Sequence, residues 1–128
     1  MGLFGLFGKK KEPTEEKVVP WKLLNSMAQL EEIMELSDNK LAAIFKHSTR
    51  CPSSRMAFRA FESGVDPEWE GVELYLLDLL SYRAISDEVA NRFQVWHESP
   101  QLILIKNGKV VHHGSHYKIS AAAVEQFI

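Results

Sequence analysis

The sequence predicts an α/β fold in which helices flank a mixed β-sheet. Short apolar runs alternate with segments of helical periodicity, which is typical of parallel strands joined by crossover helices. The last two apolar runs are separated by Asn107-Gly108, the strongest short signal for a β-hairpin in the chain. Apolar residues make up 45% of the 128 residues and charged residues 25%, so a single domain can bury a proper core.

The first part of the domain is expected to contain an edge strand, a helix and a central strand. The edge strand is predicted near residues 17–19. Apolar residues at helical spacing from Leu23 to Met34 predict a first helix that ends at Asp38. The continuous apolar run over 40–46 predicts a strand that is covered on both faces of the sheet.

A second helix is predicted from Pro52 to about Ser63. Proline is favoured at the first helical position because no backbone donor is needed there. Gly64 provides a stop signal. The face expected to be buried carries Ala57, Ala60 and Phe61.

The remaining elements continue the alternation. A strand is predicted over 72–78, a helix over 81–93 and a third apolar strand over 102–105. The run at 110–111 opens the partner strand of the hairpin, and Ser120 can cap a last helix.

Composition and charge exclude several classes of protein. The net charge of −2 does not indicate a general nucleic-acid binder. The single cysteine cannot form an intrachain disulfide, so the cytoplasm is the expected compartment. No apolar run approaches the length of a transmembrane helix.

The N-terminus differs in composition from the rest of the chain. The stretch from Gly2 to Gly8 combines glycine with Leu and Phe, and three lysines follow at 9–11. We expect a flexible tail over residues 1–17 and one domain over 18–128. The alternative for the head is a weak membrane contact, in which the apolar side chains insert and the lysines meet lipid phosphates.

Cys51 lies between the predicted central strand and the predicted second helix. With Pro52 at the first helical position, Cys51 falls at or near the helix N-cap. Free amides and the positive end of the helix dipole stabilise a thiolate there, and the thiolate is the reactive form. A lone cysteine is otherwise usually a small buried hydrophobe, but this position and the polar neighbours favour a reactive thiol.

The order of the elements resembles the thioredoxin fold, with Cys51 at the first strand-to-helix junction and Ser99-Pro100 before a hairpin strand. Residues 90–110 resemble the second half of thioredoxins, in which this proline is cis and faces the active cysteine. The resemblance implies a cis peptide whose preceding backbone aligns an extended substrate, with His97 and Glu98 on the rim. The alternative is a trans proline that starts an edge strand.

A closer similarity is to the YtxJ-type monothiol bacilliredoxins. Residues 45–54 resemble that family's Lys-His-Ser-Thr-x-Cys-Pro-x-Ser signature, and the resemblance runs from about Trp21 to the C-terminus. It implies a thioredoxin-like fold and a thiol-disulfide oxidoreductase that removes bacillithiol, a low-molecular-weight thiol, from protein mixed disulfides. Cys51 is the expected nucleophile. Because Ser54 stands where thioredoxins have a second cysteine, no other cysteine of this chain can resolve the intermediate.

The implied partners are S-thiolated proteins. Bacillithiol is the expected co-substrate, glutathione and coenzyme A can serve the same chemistry, and no tightly bound cofactor is expected. The alternative is a non-catalytic module that keeps the thioredoxin fold for protein interaction, since fold alone does not determine function.

Several residues around Cys51 are candidates for supporting roles. Ser54 either donates its hydroxyl or amide to the thiolate or satisfies backbone donors of the first turn, and Ser53 offers a second amide. Arg50, next to Thr49 in the turn, and Arg55 place positive charge near the sulfur. These charges either lower the thiol pKa and bind carboxylates, such as the malate group of bacillithiol, or remain solvated.

The histidines are further candidates for functional residues. His47 is either a wall or proton donor of the site or a core histidine at a strand end. The group His112, His113 and His116 does not indicate a metal site, because Gly114 and the strand pattern argue against the helix that an i, i+4 pair needs. No metal is expected.

Overall fold

The computed structural model describes residues 17–128, and the predictions for the head lie outside the described residues. The described part contains five strands: β1 Trp21–Leu23, β2 Leu41–His47, β3 Val72–Asp78, β4 Gln101–Lys106 and β5 Lys109–Ser115. It also contains four α-helices: α1 Ala28–Leu36, α2 Pro52–Gly64, α3 Arg83–Phe93 and α4 Ala121–Phe127. A short 3₁₀ helix at His116–Lys118 precedes α4.

The strands form one mixed sheet in the order β1-β3-β2-β4-β5. The strands β1, β3 and β2 run parallel, whereas β4 and β5 are antiparallel to their neighbours. This confirms the predicted α/β architecture with a terminal hairpin. Because Lys46 of β2 pairs with Gln101 of β4, the C-terminal end of β2 lies beside the N-terminal end of β4.

The central strand β2 is buried along its whole length, as its continuous apolar run predicts. Ala42 and Ile44 belong to the core cluster that includes residues of α1 and α3. Ala43 and Phe45 belong to a second cluster that includes residues of α2 and α4. The alternation of side chains along a strand separates these two core layers.

The predicted bounds of the first strand and of the first helix were wrong. Leu23, expected in the first helix, lies in the edge strand β1 and is 61% exposed. The helix α1 begins only at Ala28. In the turn before it, the side-chain Oε1 of Gln29 accepts hydrogen bonds from the backbone N–H groups of Asn25 and Ser26. An edge strand exists, but it lies at 21–23 and not at 17–19.

Pairing with β3 explains this shift. The backbone N–H of Leu24 donates to the carbonyl of Leu76, and the adjoining residues pair with β3 in parallel register. Lys17, the last residue of the expected tail, is also bound to the domain. Its Nζ donates to the carbonyl oxygens of Glu62, Ser63 and Val65 at the end of α2.

Local signals predicted other element ends well. Asn107 and Gly108 both have positive φ, 54° and 72°, which fits the two-residue turn that joins β4 to β5. Ser120 caps α4, since its Oγ accepts from the N–H of Ala122 at 3.1 Å. On α2, Phe61 is buried, but Ala60, expected in the core, is exposed at the surface of the helix. No helix within residues 17–128 is long and apolar enough to cross a membrane.

Candidate active site

Cys51 occupies the N-cap of α2. Its backbone is extended, with φ −98° and ψ 120°, and Pro52 opens the helix. The Cys51 N–H donates to the carbonyl of Ser48 at 3.1 Å, and its own carbonyl accepts from the N–H of Arg55 at 3.0 Å. The cysteine is therefore held at both backbone groups while its side chain remains partly exposed.

Hydrogen-bond donors surround the sulfur. The hydroxyl oxygen of Ser53 lies 3.1 Å from Sγ of Cys51. This hydroxyl, followed by the backbone N–H of Ser54, lowers the pKa of the Cys51 thiol, and the charge of Arg55 acts in the same direction. Donors that bond to the charged form of a group favour that form, so the site stabilises a thiolate.

The Ser54 side chain points elsewhere. It is fully buried, and its Oγ accepts from the N–H of Ser48 at 3.0 Å and lies 2.8 Å from Nδ1 of His47. Both contacts are satisfied when the hydroxyl accepts from the amide and donates to the ring nitrogen. Ser54 thus joins the end of β2 to the first turn of α2, and only its backbone N–H acts on the thiol.

His47 lies mostly inside the protein. Its ring stacks on Phe58 of α2, with ring centroids 4.8 Å apart and an angle of 13° between the planes. Burial lowers the pKa of His47, and the nearby carboxylate of Asp78 opposes this only in part. A neutral imidazole therefore links the sheet to α2 near neutral pH.

The two arginines differ in their surroundings. Nη1 of Arg55 donates to the carbonyl of Thr49 at 3.2 Å, so this side chain bridges the first turn of α2 and the loop before Cys51. Arg50 is exposed and has no hydrogen-bonded or ion-paired partner within residues 17–128. Arg55 is therefore the arginine that acts on the sulfur.

The Ser99–Pro100 peptide is cis, as the resemblance implies. The dipeptide directly precedes β4. It therefore lies at the end of the sheet where the loop to Cys51 leaves β2. The carbonyl of Pro100 accepts from the N–H of His116 at 3.2 Å. The hydroxyl of Ser99 is buried and has no hydrogen-bond partner in the described residues.

Residues just before and just after Cys51 in the sequence line two depressions of the protein surface. Thr49 and His47 belong to a pocket of about 320 Å³ whose other lining residues include Asp78, Ser81 and Tyr82. Ser53 belongs to a more apolar groove of about 340 Å³ that also includes Met56, Ala57, Ala60, Tyr117 and Ile119. Met56 and Tyr117 on the groove are 70% and 91% exposed. Residues that flank Cys51 in the sequence therefore line two separate surface depressions.

The three histidines at 112, 113 and 116 are divided between a strand and the 3₁₀ helix that follows it. His112 and His113 are on β5, and His116 begins the 3₁₀ helix. Within residues 17–128 no three His, Cys, Asp or Glu side chains are arranged to hold a metal ion.

Two features of the site were not predicted from the sequence. One is the contact of the Ser53 hydroxyl with the sulfur, since only the Ser53 amide was considered. The other is the buried Lys46, whose Nζ contacts His97 at 3.1 Å. A lysine that directly follows the apolar residues 41–45 within one predicted strand was the available signal for the second feature, because lysine is rarely fully buried without a partner.

Comparison with known proteins agrees with this geometry. A solved structure of a thioredoxin-fold protein described as a candidate oxidoreductase is 30% identical, with a TM-score of 0.70, and the match covers 84% of this chain and 92% of the other. Thioredoxin from Malassezia sympodialis is 22% identical, with a TM-score of 0.65 and coverage of 88% and 97%. Thioredoxin from Fasciola hepatica is 19% identical, with a TM-score of 0.63 and coverage of 84% and 99%.

The fold and the partly exposed cysteine at the N-cap of α2 define a thioredoxin-fold thiol oxidoreductase. The model of the family "Monothiol bacilliredoxin BrxC" matches residues 22–124, which is most of the chain. The chain belongs to this monothiol bacilliredoxin family.

Proposed function

We propose that this protein removes bacillithiol, or a similar low-molecular-weight thiol, from protein mixed disulfides through Cys51. The observation that carries the proposal is the Cys51 thiol at the start of α2, with the Ser53 hydroxyl 3.1 Å from its sulfur and with no second cysteine in the chain. The donors favour a thiolate, and the absence of a second thiol in the sequence favours a monothiol cycle.

The reaction proceeds in two exchanges. The Cys51 thiolate attacks the sulfur of the small thiol, a new S–S bond forms, and the bond to the target protein breaks. The target cysteine leaves as a thiolate and takes a proton from solvent. A second molecule of the small thiol then attacks the small-thiol sulfur on Cys51, which releases the symmetrical small-thiol disulfide and restores the Cys51 thiolate.

The surrounding residues have distinct parts in this scheme. Ser53 and Arg55 stabilise the thiolate, whereas Pro52 ends the loop and leaves the first-turn amides free. The backbone beside Ser99–Pro100 receives the extended chain of the target. Arg50 is free to meet carboxylates of the small thiol, which is the co-substrate; no tightly bound cofactor takes part. The cytoplasm, where free thiols remain reduced, is the compartment that suits this cycle.

Intact-protein mass spectrometry tests the proposal. Reduced protein is mixed with a bacillithiolated test protein, with Cys51→Ser as the matched control. We expect Cys51 to gain one bacillithiol while the test protein loses one, and we expect no transfer with the variant. Parallel reactions with glutathionylated and coenzyme A-modified protein identify the preferred small thiol.

The outcome also decides between exchange and simple binding. Failure of transfer from all three mixed disulfides would reject the proposal. Capture of the thiolated protein that is unchanged in Cys51→Ser would then favour the interaction module.

A further inference from the structure

A partly buried polar contact holds the segment that leads into the Ser99–Pro100 turn. Residues 94–100 join α3 to β4 and form neither helix nor strand. Lys46 on β2 is fully buried, and its Nζ lies 3.1 Å from Nδ1 of His97 in this segment. The same Nζ donates to the carbonyl of Ser86 on α3 at 3.1 Å. Lys46 therefore connects the segment to a central strand and to a helix.

A second buried side chain holds the same segment from β4. Gln101 pairs directly with Lys46 across the two strands, so the two side chains lie on the same face of the sheet. Its Nε2 donates to the carbonyl of Trp96 at 2.9 Å, and its Oε1 accepts from the N–H of Glu98 at 3.4 Å. Three consecutive residues before Ser99–Pro100 are thus bonded to two buried side chains.

The contact between Lys46 and His97 depends on protonation. A lysine ammonium carries donors only, so Nδ1 of His97 must accept and the ring proton lies on Nε2. Burial lowers the pKa of Lys46 to about 8, with Asp87 opposing, so the lysine is mainly charged near neutral pH.

Further charges act on the His97 ring. Burial, followed by the charges of Lys46 and Arg83, lowers the pKa of His97, while Asp87 and Glu98 oppose. Protonation of His97 would remove the acceptor and place two positive charges about 3 Å apart, the distance of a hydrogen bond. The contact therefore requires a neutral His97.

Stability alone does not account for a lysine at this position. Removing an ammonium group from water is unfavourable, and replacing a buried charge by a well-packed apolar residue is often neutral or stabilising. Ala42 and Ile44, which precede Lys46 on the same face of β2, are both apolar. What distinguishes Lys46 from them is the bonds it makes to α3 and to the segment before the proline.

We propose that Lys46 is a positioning residue for thiol exchange: through His97 it sets the place of the Ser99–Pro100 turn, which receives the extended chain of the protein substrate. The role in exchange rests on the proposed function, whereas the positioning of the turn does not. Acidification that protonates His97 breaks its contact with Lys46 and leaves the bonds of Gln101 to the segment in place. Small reagents that reach Cys51 without using the turn are unaffected.

Two variants test the proposal, Lys46→Met and His97→Ala. Methionine keeps an unbranched chain in the core, and His97 is an exposed residue whose truncation leaves the core intact. Each variant should lower the rate constant with a bacillithiolated protein by about tenfold, as expected when a positioned group is displaced. Alkylation of Cys51 by iodoacetamide should stay unchanged, and the double variant should lose no more than either single one. His113→Ala, an exposed histidine on β5, serves as the control.

Stability separates positioning from a purely structural role. Lys46→Met should unfold at the wild-type temperature or above it, although its exchange rate falls. An unchanged exchange rate in a folded Lys46→Met or His97→Ala variant would overturn the proposal. A parallel loss of exchange and alkylation would overturn it as well, because the lysine would then act on Cys51 or on the whole fold.

Nuclear magnetic resonance makes the test independent of the proposed function. In the wild type, the ring of His97 should carry its proton on Nε2, and the Ser99 amide resonance should shift as His97 titrates. Lys46→Met should move the Ser99 amide and raise the pKa of His97. If the wild-type protein exchanges with no thiolated protein, the proposed function fails, and these resonances still decide whether Lys46 holds the turn. A Ser99 amide that is unaffected by Lys46→Met would reject the positioning role.

Discussion

The Ser53 hydroxyl oxygen lies 3.1 Å from Sγ of Cys51 and is the one side-chain hydrogen-bond partner of the sulfur within residues 17–128. The next residue, Ser54, instead directs its hydroxyl to the N–H of Ser48 and to His47. Successive side chains of a helix point in different directions, because a turn holds about 3.6 residues. The two neighbouring serines therefore have separable effects, the first on reactivity and the second on stability.

Ser53→Ala should make Cys51 less acidic and less reactive. Loss of the hydroxyl removes the largest of the interactions that lower the pKa of the thiol. We expect alkylation near neutral pH to slow by about threefold, because a smaller fraction of the cysteine is thiolate. The pH dependence of iodoacetamide alkylation, followed by mass spectrometry, measures this change. Ser63→Ala, at the other end of α2, is the matched control, and identical profiles for Ser53→Ala and wild type would contradict the prediction.

Ser54→Ala should destabilise the fold. The change leaves the partly buried N–H of Ser48 and the buried Nδ1 of His47 without their partner. An unsatisfied buried polar group costs about 1–3 kcal/mol, so the free energy of unfolding should fall by roughly that amount. Chemical denaturation measures it. Ser53→Ala, which removes an exposed hydroxyl, should leave the unfolding free energy close to that of the wild type, and equal effects of the two substitutions would show the assignment to be wrong.

His47 should make the protein less stable in acid. Burial lowers the pKa of His47 below its ordinary value of 6.5, so the folded state favours the neutral ring. The stability that His47 contributes is fully present above 6.5 and is lost as the pH falls through the lower pKa of the folded state. Because His97 acts in the same sense, the useful quantity is the difference between wild type and His47→Gln. Thermal unfolding should show a weaker loss in acid for the variant, and parallel curves would count against a buried neutral His47.

Lys46 should make the protein more stable in mild alkali. Its pKa is lowered from 10.5 to about 8 by burial, so between these values the folded state releases a proton that the unfolded chain still holds. Stability therefore rises with pH across this interval, and the full difference corresponds to roughly 3 kcal/mol. Denaturation at a series of pH values should show the rise in the wild type and not in Lys46→Met. If the free energy of unfolding rises equally with pH in both proteins, the pKa of Lys46 is not lowered by folding.

The hairpin and the central strand illustrate what local patterns can predict. Asn107-Gly108 specifies a turn because both residues tolerate positive φ, and both adopt it. The apolar run of β2 predicts burial on both faces because such a strand can only lie inside a sheet covered by helices. These signals involve only a few neighbouring residues, so they predict the local structure without knowledge of the segments that pack against it.

The start of the domain shows where such patterns fail. The spacing of Leu23, Met27 and Leu30 fits a helix, yet Leu23 lies in β1. Hydrogen bonds to β3, more than fifty residues away, decide the conformation there. The predicted burial of Ala60 was wrong for the same kind of reason, since burial of a helix face depends on what packs against it.

The position of Cys51 followed from the sequence by itself: an apolar run, a polar turn and a proline place a cysteine at a helix N-cap, and the chain holds one thiol and no more. Only the tertiary structure decided which groups meet it. The contact of Ser53 with the sulfur, the bond between Ser54 and His47 and the burial of Lys46 against His97 depend on side-chain directions and on pairing between distant segments. The reason is physical: a helix cap is determined by a few neighbouring residues, whereas a buried hydrogen bond needs a partner that only the folded chain brings within about 3 Å.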